Sequence, residues 1–138
     1  MDVERLVQKW KEAVNGQQAN VFGARYAPDA ILLVPLSPDP LKGREAIQQY
    51  EGAIYAAFPR ATLTLESRPL GEGDTVAVEW EYSGTNTGPL ASPTGAIPPT
   101  NRPAKFRGAS FLRYNHEGLI AEEHRYYDSR SLFQQLGL

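Results

Sequence analysis

Apolar residues recur with helical spacing over the first sixty positions and with strand spacing over most of the rest. Val3, Leu6, Val7, Trp10, Ala13 and Val14 fall three and four apart, which predicts an amphipathic helix over residues 3–14 with Asn15-Gly16 as its stop. A shorter helix is expected next, with Ala19, Phe22 and Tyr26 on its inner side, broken by "APDA". "ILLVPL" is short and apolar enough for a strand. After the "SPDPLKG" loop, Ala46, Ile47, Tyr50, Ala53, Ile54, Ala57 and Phe58 form one continuous stripe, which predicts a third helix ended by Pro59.

From residue 60 the period changes to two. "ATLTLESRPL" and "TVAVEWEYSGT" read as strands joined by "GEGD", and "KFRGASFLRY" and "LIAEEHRYY" as strands joined by "NHEG". Between the hairpins, residues 88–104 hold five of the eleven prolines and form no regular element. A long loop of this kind often covers a binding site. Helices first and an antiparallel sheet afterwards make the fold class α+β, with residues 1–138 as a single domain.

Charge then distinguishes the two faces of the strands. Val76, Val78, Trp80 and Tyr82 share one face of their strand, opposite Ala77, Glu79 and Glu81. Lys105, Arg107 and Arg113 share a face opposite Phe106, Gly108, Ser110, Leu112 and Tyr114. Opposite charges on neighbouring strands stabilise a sheet by about 0.2–1 kcal/mol per pair, whereas a buried lone charge is costly. The glutamates and basic residues are therefore expected on an outer face, with Trp80, Tyr82, Phe106 and Tyr114 inward.

The stretch "EEHRYYD" divides in the same way. Glu123 and Arg125 would extend the outer ladder, with Tyr127 beside them. Glu122, His124, Tyr126 and Asp128 are then expected to look toward the helices. A polar row on an otherwise apolar face predicts a cavity with a proton-transfer role. Each residue also has a plainer reading. Asp128 can N-cap the helical tail "SRSLFQQLGL", His124 can be a satisfied structural histidine, and Glu122 can be a solvated strand end. His116 falls in a hairpin turn and is expected to be exposed.

Composition narrows the chemistry. The 138 residues are 41% hydrophobic, with two Trp, seven Tyr and five Phe, as in a globular chain with a real core. A net charge of −2 leaves no footprint for nucleic acid, and the basic "NRPAKFR" reads as a solvated strand face. The absence of cysteine removes disulfides, thiolate metal sites and thiol nucleophiles. His116 and His124 lie eight apart with no HxH or HExxH arrangement, so no metal is expected. The glycines sit in hairpins and loops rather than between a strand and a helix, so no P-loop or dinucleotide cofactor is expected, and no GxSxG elbow supports a serine nucleophile. Asp2, Glu4, Lys9, Lys11 and Glu12 interrupt the N-terminal apolar residues too often for a signal-peptide core or a membrane span. A cytoplasmic protein without a membrane partner is expected.

"VAVEWEYSGTNTGPL", "IPPTNRPAKFRGASFLRYNHEGLIAEEHRYYD" and "SLFQQLGL" together resemble the SnoaL-like polyketide cyclases of the nuclear-transport-factor-2-like superfamily. "FGARYAPDAILLVPLSPDPLKGREAIQQY" resembles the usual first half of that family, so the resemblance covers nearly the whole chain. Asn86 stands in the GTxTG motif where the family often has histidine. The resemblance implies a cone-shaped fold, with N-terminal helices packed into a strongly curved sheet around a hydrophobic pocket, often in a homodimer. It implies a cofactor-free aldol ring closure on a small hydrophobic, polyketide-like ligand, or a related isomerisation or dehydration. Asp128 best matches the family's general acid/base. His124 or Tyr126 would then donate to the developing oxyanion, and Trp80, Phe106, Tyr26 and Tyr114 would line the cavity. The alternative is a non-catalytic small-molecule binding module on the same scaffold. An exposed Asp128 capping the last helix, with no cavity beside it, would argue against catalysis.

Overall fold

The computed structural model describes residues 1–92 and 94–138; Pro93, in the proline-rich loop, lies outside the described residues. Helix α1 (Val3–Gly16) starts where the Asp2 carboxylate accepts from the Arg5 N–H at 3.1 Å, and it buries Val7, Trp10, Ala13 and Val14. A single turn, α2 (Ala19–Gly23), leads into β1 (Tyr26–Leu33). Tyr26 and "APDA" therefore belong to a strand, and Tyr26 does not extend the second helix as its spacing suggested. Proline has no N–H to give to a ladder. Pro28 and Asp29 accordingly sit exposed where the pairing of β1 is irregular.

Strand β2 (Leu41–Lys42) precedes α3 (Arg44–Ala57), and β3 (Thr62–Leu65), β4 (Leu70–Glu72) and β5 (Thr75–Thr85) follow. Strands β6 (Pro103–Tyr114) and β7 (Ile120–Tyr127) then lead to a short final helix, α4 (Ser129–Gln135). The strands form one curved, unclosed sheet in the order β2-β1-β7-β6-β5-β3, with β4 also paired to β5. Every pairing is antiparallel except β1 with β7, which is parallel. Trp10 and Val14 of α1, Phe22 of α2 and Ile47 of α3 meet Val78, Trp80, Leu112 and Ile120 of the sheet in one core. Among the described residues, no helix is long and apolar enough to cross a membrane.

Strands β5 and β6 face as their alternation predicts. Val76, Val78, Trp80, Tyr82, Leu112 and Tyr114 are buried, while Glu81 meets Lys105 at 3.6 Å and Arg107 at 3.7 Å on the outside. Strand β7 faces the other way from expectation. Tyr114 of β6 pairs with Ile120, but the adjacent Arg113 pairs with Glu122, which leaves Ala121 as an extra residue in β7. Such a bulge reverses the alternation beyond it. Ile120 is buried, and so is Glu123, three residues on. Glu123, Arg125 and Tyr127 therefore point inward, while Glu122, His124 and Tyr126 lie on the outer face. It is Glu122, not Glu123, that meets the outer cation Arg113, at 3.9 Å.

The proline-rich loop is pinned by Asn86, which is fully buried. Its amide nitrogen donates to the carbonyls of Ala57 (3.0 Å) and Gly88 (2.9 Å), and its oxygen accepts from the backbone and hydroxyl of Thr100. The two ends of the loop are thus tied to each other and to the end of α3. An isolated bridge between Leu90 and Ile97 closes the loop, and Leu90 is buried.

Candidate active site

Helix α3 carries a carboxylate in the middle of its apolar stripe. Glu51 lies four residues after Ile47 and three before Ile54, a spacing that turns it toward the sheet. It is only 3% exposed. There it lines a cavity of about 50 Å³ with Tyr50 from the same helix, Trp80 and Tyr82 from β5, Phe106 from β6, and Arg125 and Tyr127 from β7. Leu36, Leu90 and Leu132 add walls from the segment after β1, the proline-rich loop and α4.

A buried ion-pair array supports Glu51. Arg125 donates through Nη1 to Glu51 Oε1 at 3.0 Å and through Nε to Glu123 Oε2 at 3.0 Å. Glu123 is fully enclosed, and both its oxygens are occupied. Oε1 accepts from the Tyr26 hydroxyl and from Arg125 Nη2 (3.4 Å), while Oε2 also accepts from Ser110 Oγ (2.8 Å). Two indoles extend the chain outward: Trp10 Nε1 donates to Tyr26 Oη at 3.2 Å, and Trp80 Nε1 donates to Ser110 Oγ at 3.1 Å. A buried charge persists only when it is paired and hydrogen-bonded in this way.

Glu51 is less fully provided for. Arg125 holds one oxygen, and the other makes no hydrogen bond among the described residues. Burial raises its pKa above the ordinary 4.5, a rise that Glu123 adds to and Arg125 only partly offsets. Burial works to lower the Arg125 pKa, but Glu123 and Glu51 outweigh it and hold the guanidinium above its ordinary value. The phenols of Tyr50 and Tyr82 are raised, chiefly by burial, and stay protonated. The Tyr82 hydroxyl has no hydrogen-bond partner among the described residues. That of Tyr50 points toward Tyr127 but makes no hydrogen bond of ordinary geometry. The cavity wall therefore holds one carboxylate oxygen able to move a proton and two buried phenols, Tyr50 and Tyr82, whose hydroxyls have no partner among the described residues.

Of the residues expected from sequence, Trp80 and Phe106 line this cavity, with ring centroids 6.1 Å apart. Tyr26 lies behind it as the partner of Glu123, and Tyr114 is buried away from it. Tyr126 is 53% exposed on the outer face, edge-on to Phe111. His124 is also on that face, with Nε2 3.5 Å from Glu122. Asp128 is exposed and accepts from the Ser131 N–H at 3.1 Å as the N-cap of α4. The geometry brings neither Asp128 nor His124 to the cavity, although Tyr127 and Leu132, close to Asp128 in the chain, do line it. Glu51, Arg125 and Glu123 were not among the expected site residues. A carboxylate inside an apolar helical stripe was a readable sign of Glu51, whereas Arg125 and Glu123 were hidden by the bulge.

The sequence matches the SnoaL-like domain over residues 7–123. A steroid Delta-isomerase from Nocardioides simplex is 38% identical over 56 residues, which make up 41% of this chain and 46% of that protein, less than half its length. A structure described as that of a SnoaL-like polyketide cyclase from Jannaschia sp. CCS1 superposes with a TM-score of 0.83 at 18% identity, covering 99% of this chain and 94% of the other. A protein with a ketosteroid isomerase-like fold from Catenulispora acidiphila, solved in complex with trimethylamine, gives 0.78 at 25% identity, covering 96% and 92%.

Proposed function

The chain belongs to the SnoaL-like domain family, and on that premise we propose that its cavity moves a proton on a small carbonyl compound, in a cyclisation or isomerisation that needs no cofactor. The observation that carries this reading is the enclosed Glu51 carboxylate, with one oxygen held by Arg125 and the other free in an apolar cavity. A carbon beside a carbonyl is acidic enough for such a group to deprotonate, and burial moves Glu51 toward the range in which it can both take and return a proton. The protonated hydroxyls of Tyr50 and Tyr82 are the donors available to the enolate oxygen. Glu123 has no free oxygen and serves as a positioning residue, fixing Arg125 and through it Glu51. The steroid isomerase and polyketide cyclase similarities support chemistry of this class.

Size favours a small ligand or a small ligand end. A space of about 50 Å³ would hold about three or four water molecules, well short of the roughly 300–1,000 Å³ of pockets for drug-sized ligands. A larger substrate must displace Leu36, Leu90 or Leu132. The trimethylamine bound by the Catenulispora acidiphila protein is a ligand of such a small size. Deuterium wash-in from solvent, followed by NMR on a cyclic 1,3-diketone and on a β,γ-unsaturated ketone, tests the proposal. Wild type should exchange the acidic carbon faster than buffer, and Glu51→Gln should lose about 100-fold or more of that rate. A folded Glu51→Gln protein exchanging at the wild-type rate would remove Glu51 from the mechanism.

A further inference from the structure

The charges around the cavity do not balance. Glu51 and Glu123 bring two formal negative charges and Arg125 one positive, so the buried array carries a net −1. Glu123 is fully hydrogen-bonded, so the shortfall falls on Glu51 and its free oxygen. A buried net charge in a low-dielectric site attracts either a proton or a cation.

The walls nearby suit a cation as well. Trp80, Phe106 and Tyr127 lie within 6.2 Å of one another by ring centroid, and Tyr82 is 5.7 Å from Phe106. With Tyr50 these rings make a continuous aromatic wall beside Glu51. Aromatic faces attract alkylated ammonium groups, and cages of such rings recognise quaternary ammonium ligands. Independently of the acidic array, the Tyr82 hydroxyl, on a residue 7% exposed, has no partner among the described residues and keeps an acceptor for an ammonium N–H. The cavity is large enough for a head group and not for a polycycle.

We propose that the cavity takes a ligand whose buried end is an alkylammonium group, seated against Trp80, Tyr82, Phe106 and Tyr127 with Glu51 as its counter-ion. This deepens the reading of the cavity as a small-molecule site, on which it rests, by assigning the class of its ligand. Ligand binding and proton transfer remain separable by measurement. Neutral carbonyl compounds would then be probes of the proton transfer alone.

Calorimetric titration of the whole chain with choline chloride against its neutral isostere 3,3-dimethylbutan-1-ol, and with trimethylammonium chloride against a sodium chloride control, decides it. The cations should bind at least about tenfold more tightly than the alcohol. Glu51→Gln should erase that preference without weakening the alcohol. A pH series on wild type covers the case in which that variant does not fold. The groups facing Glu51 are Arg125, Glu123 and Tyr127 of β7, Tyr26 of β1, Tyr50 and Tyr55 of α3, and Tyr82 of β5. The phenols keep their protons and Arg125 its charge, and of the two carboxylates only Glu51 has an oxygen without a partner among the described residues, so the cation's pH dependence reads Glu51. Cation affinity should therefore rise as pH increases through the Glu51 pKa, and alcohol affinity should stay flat. Equal affinity for cation and alcohol, or a flat pH profile for the cation, would overturn the proposal. Cation binding without deuterium exchange on the ketone probes would uphold it and remove the proton-transfer reading instead.

Discussion

Asp128 and Glu51 show how differently two carboxylates near one cavity can be used. Asp128 accepts a backbone N–H at the start of α4 and faces water, while Glu51 is buried against a guanidinium and keeps an oxygen free. Removing an N-cap side chain costs about 1 kcal/mol and does not reach the cavity. Asp128→Ala should therefore lower the melting temperature by a few degrees and leave deuterium exchange on the 1,3-diketone within about twofold of wild type. A tenfold loss of exchange in the folded variant would show a role for Asp128 that its position does not supply. The choice between cap and catalyst was open in the sequence, because the same residue pattern, Asp before Ser-Arg-Ser-Leu, fits both. Only the direction of the side chain separates them.

At the scale of elements, β5, β6 and α3 were legible because uninterrupted periodicity fixes which residues share a face. Strand β7 was not, because one extra residue, Ala121, reverses the alternation without any glycine or proline to announce it. Charge pattern alone points the wrong way in this strand. Glu123 and Arg125 looked like rungs of an outer ladder, yet they neutralise most of each other's charge inside, with Tyr26 and Ser110 completing the hydrogen bonds. Tyr26 was misplaced for a related reason. Its spacing from Phe22 fits a helix, but Pro28 and Asp29 occupy an irregular part of a strand. Apart from Pro93, residues 88–102 hold no helix or ladder beyond the Leu90–Ile97 bridge, but Pro103 and Ala104, expected in the loop, already belong to β6, and the attachment through Asn86 depends on contacts far apart in sequence. Asn86→Ala would leave the Thr100 N–H without its partner and the Ala57 carbonyl with only the Gly88 N–H at 3.3 Å, a loss of about 1–3 kcal/mol. Hydrogen exchange should accelerate at Thr100, Asn101 and Leu90 more than in β5 or β6. Unchanged protection at those amides would mean that the loop is held by its other contacts.

For the whole molecule, the buried array has a thermodynamic signature. Glu51 titrates near 4.5 when unfolded and higher when folded. Between those values the folded chain binds a proton that the unfolded chain has released, so its contribution to stability is greatest below 4.5 and is lost as pH rises through the folded pKa. Melting temperatures of wild type and Glu51→Gln, compared across that range, should show the wild type losing ground as pH increases. A constant difference would mean that burial does not shift this carboxyl. The overall α+β order was legible from length and periodicity alone. The parallel pairing of β1 with β7 was not, since neither strand is near the other in sequence.

The extra residue in β7 also bears on how relatives of this chain are compared. Two sequences that differ by a one-residue gap at Ala121 would look nearly identical downstream, yet they would present different side chains to their cavities. In one, the positions of Glu123, Arg125 and Tyr127 face the ligand; in the other, those of Glu122, His124 and Tyr126 do. Aligned columns beyond such a gap do not share a role, and a functional residue transferred across it lands on the wrong side of the sheet.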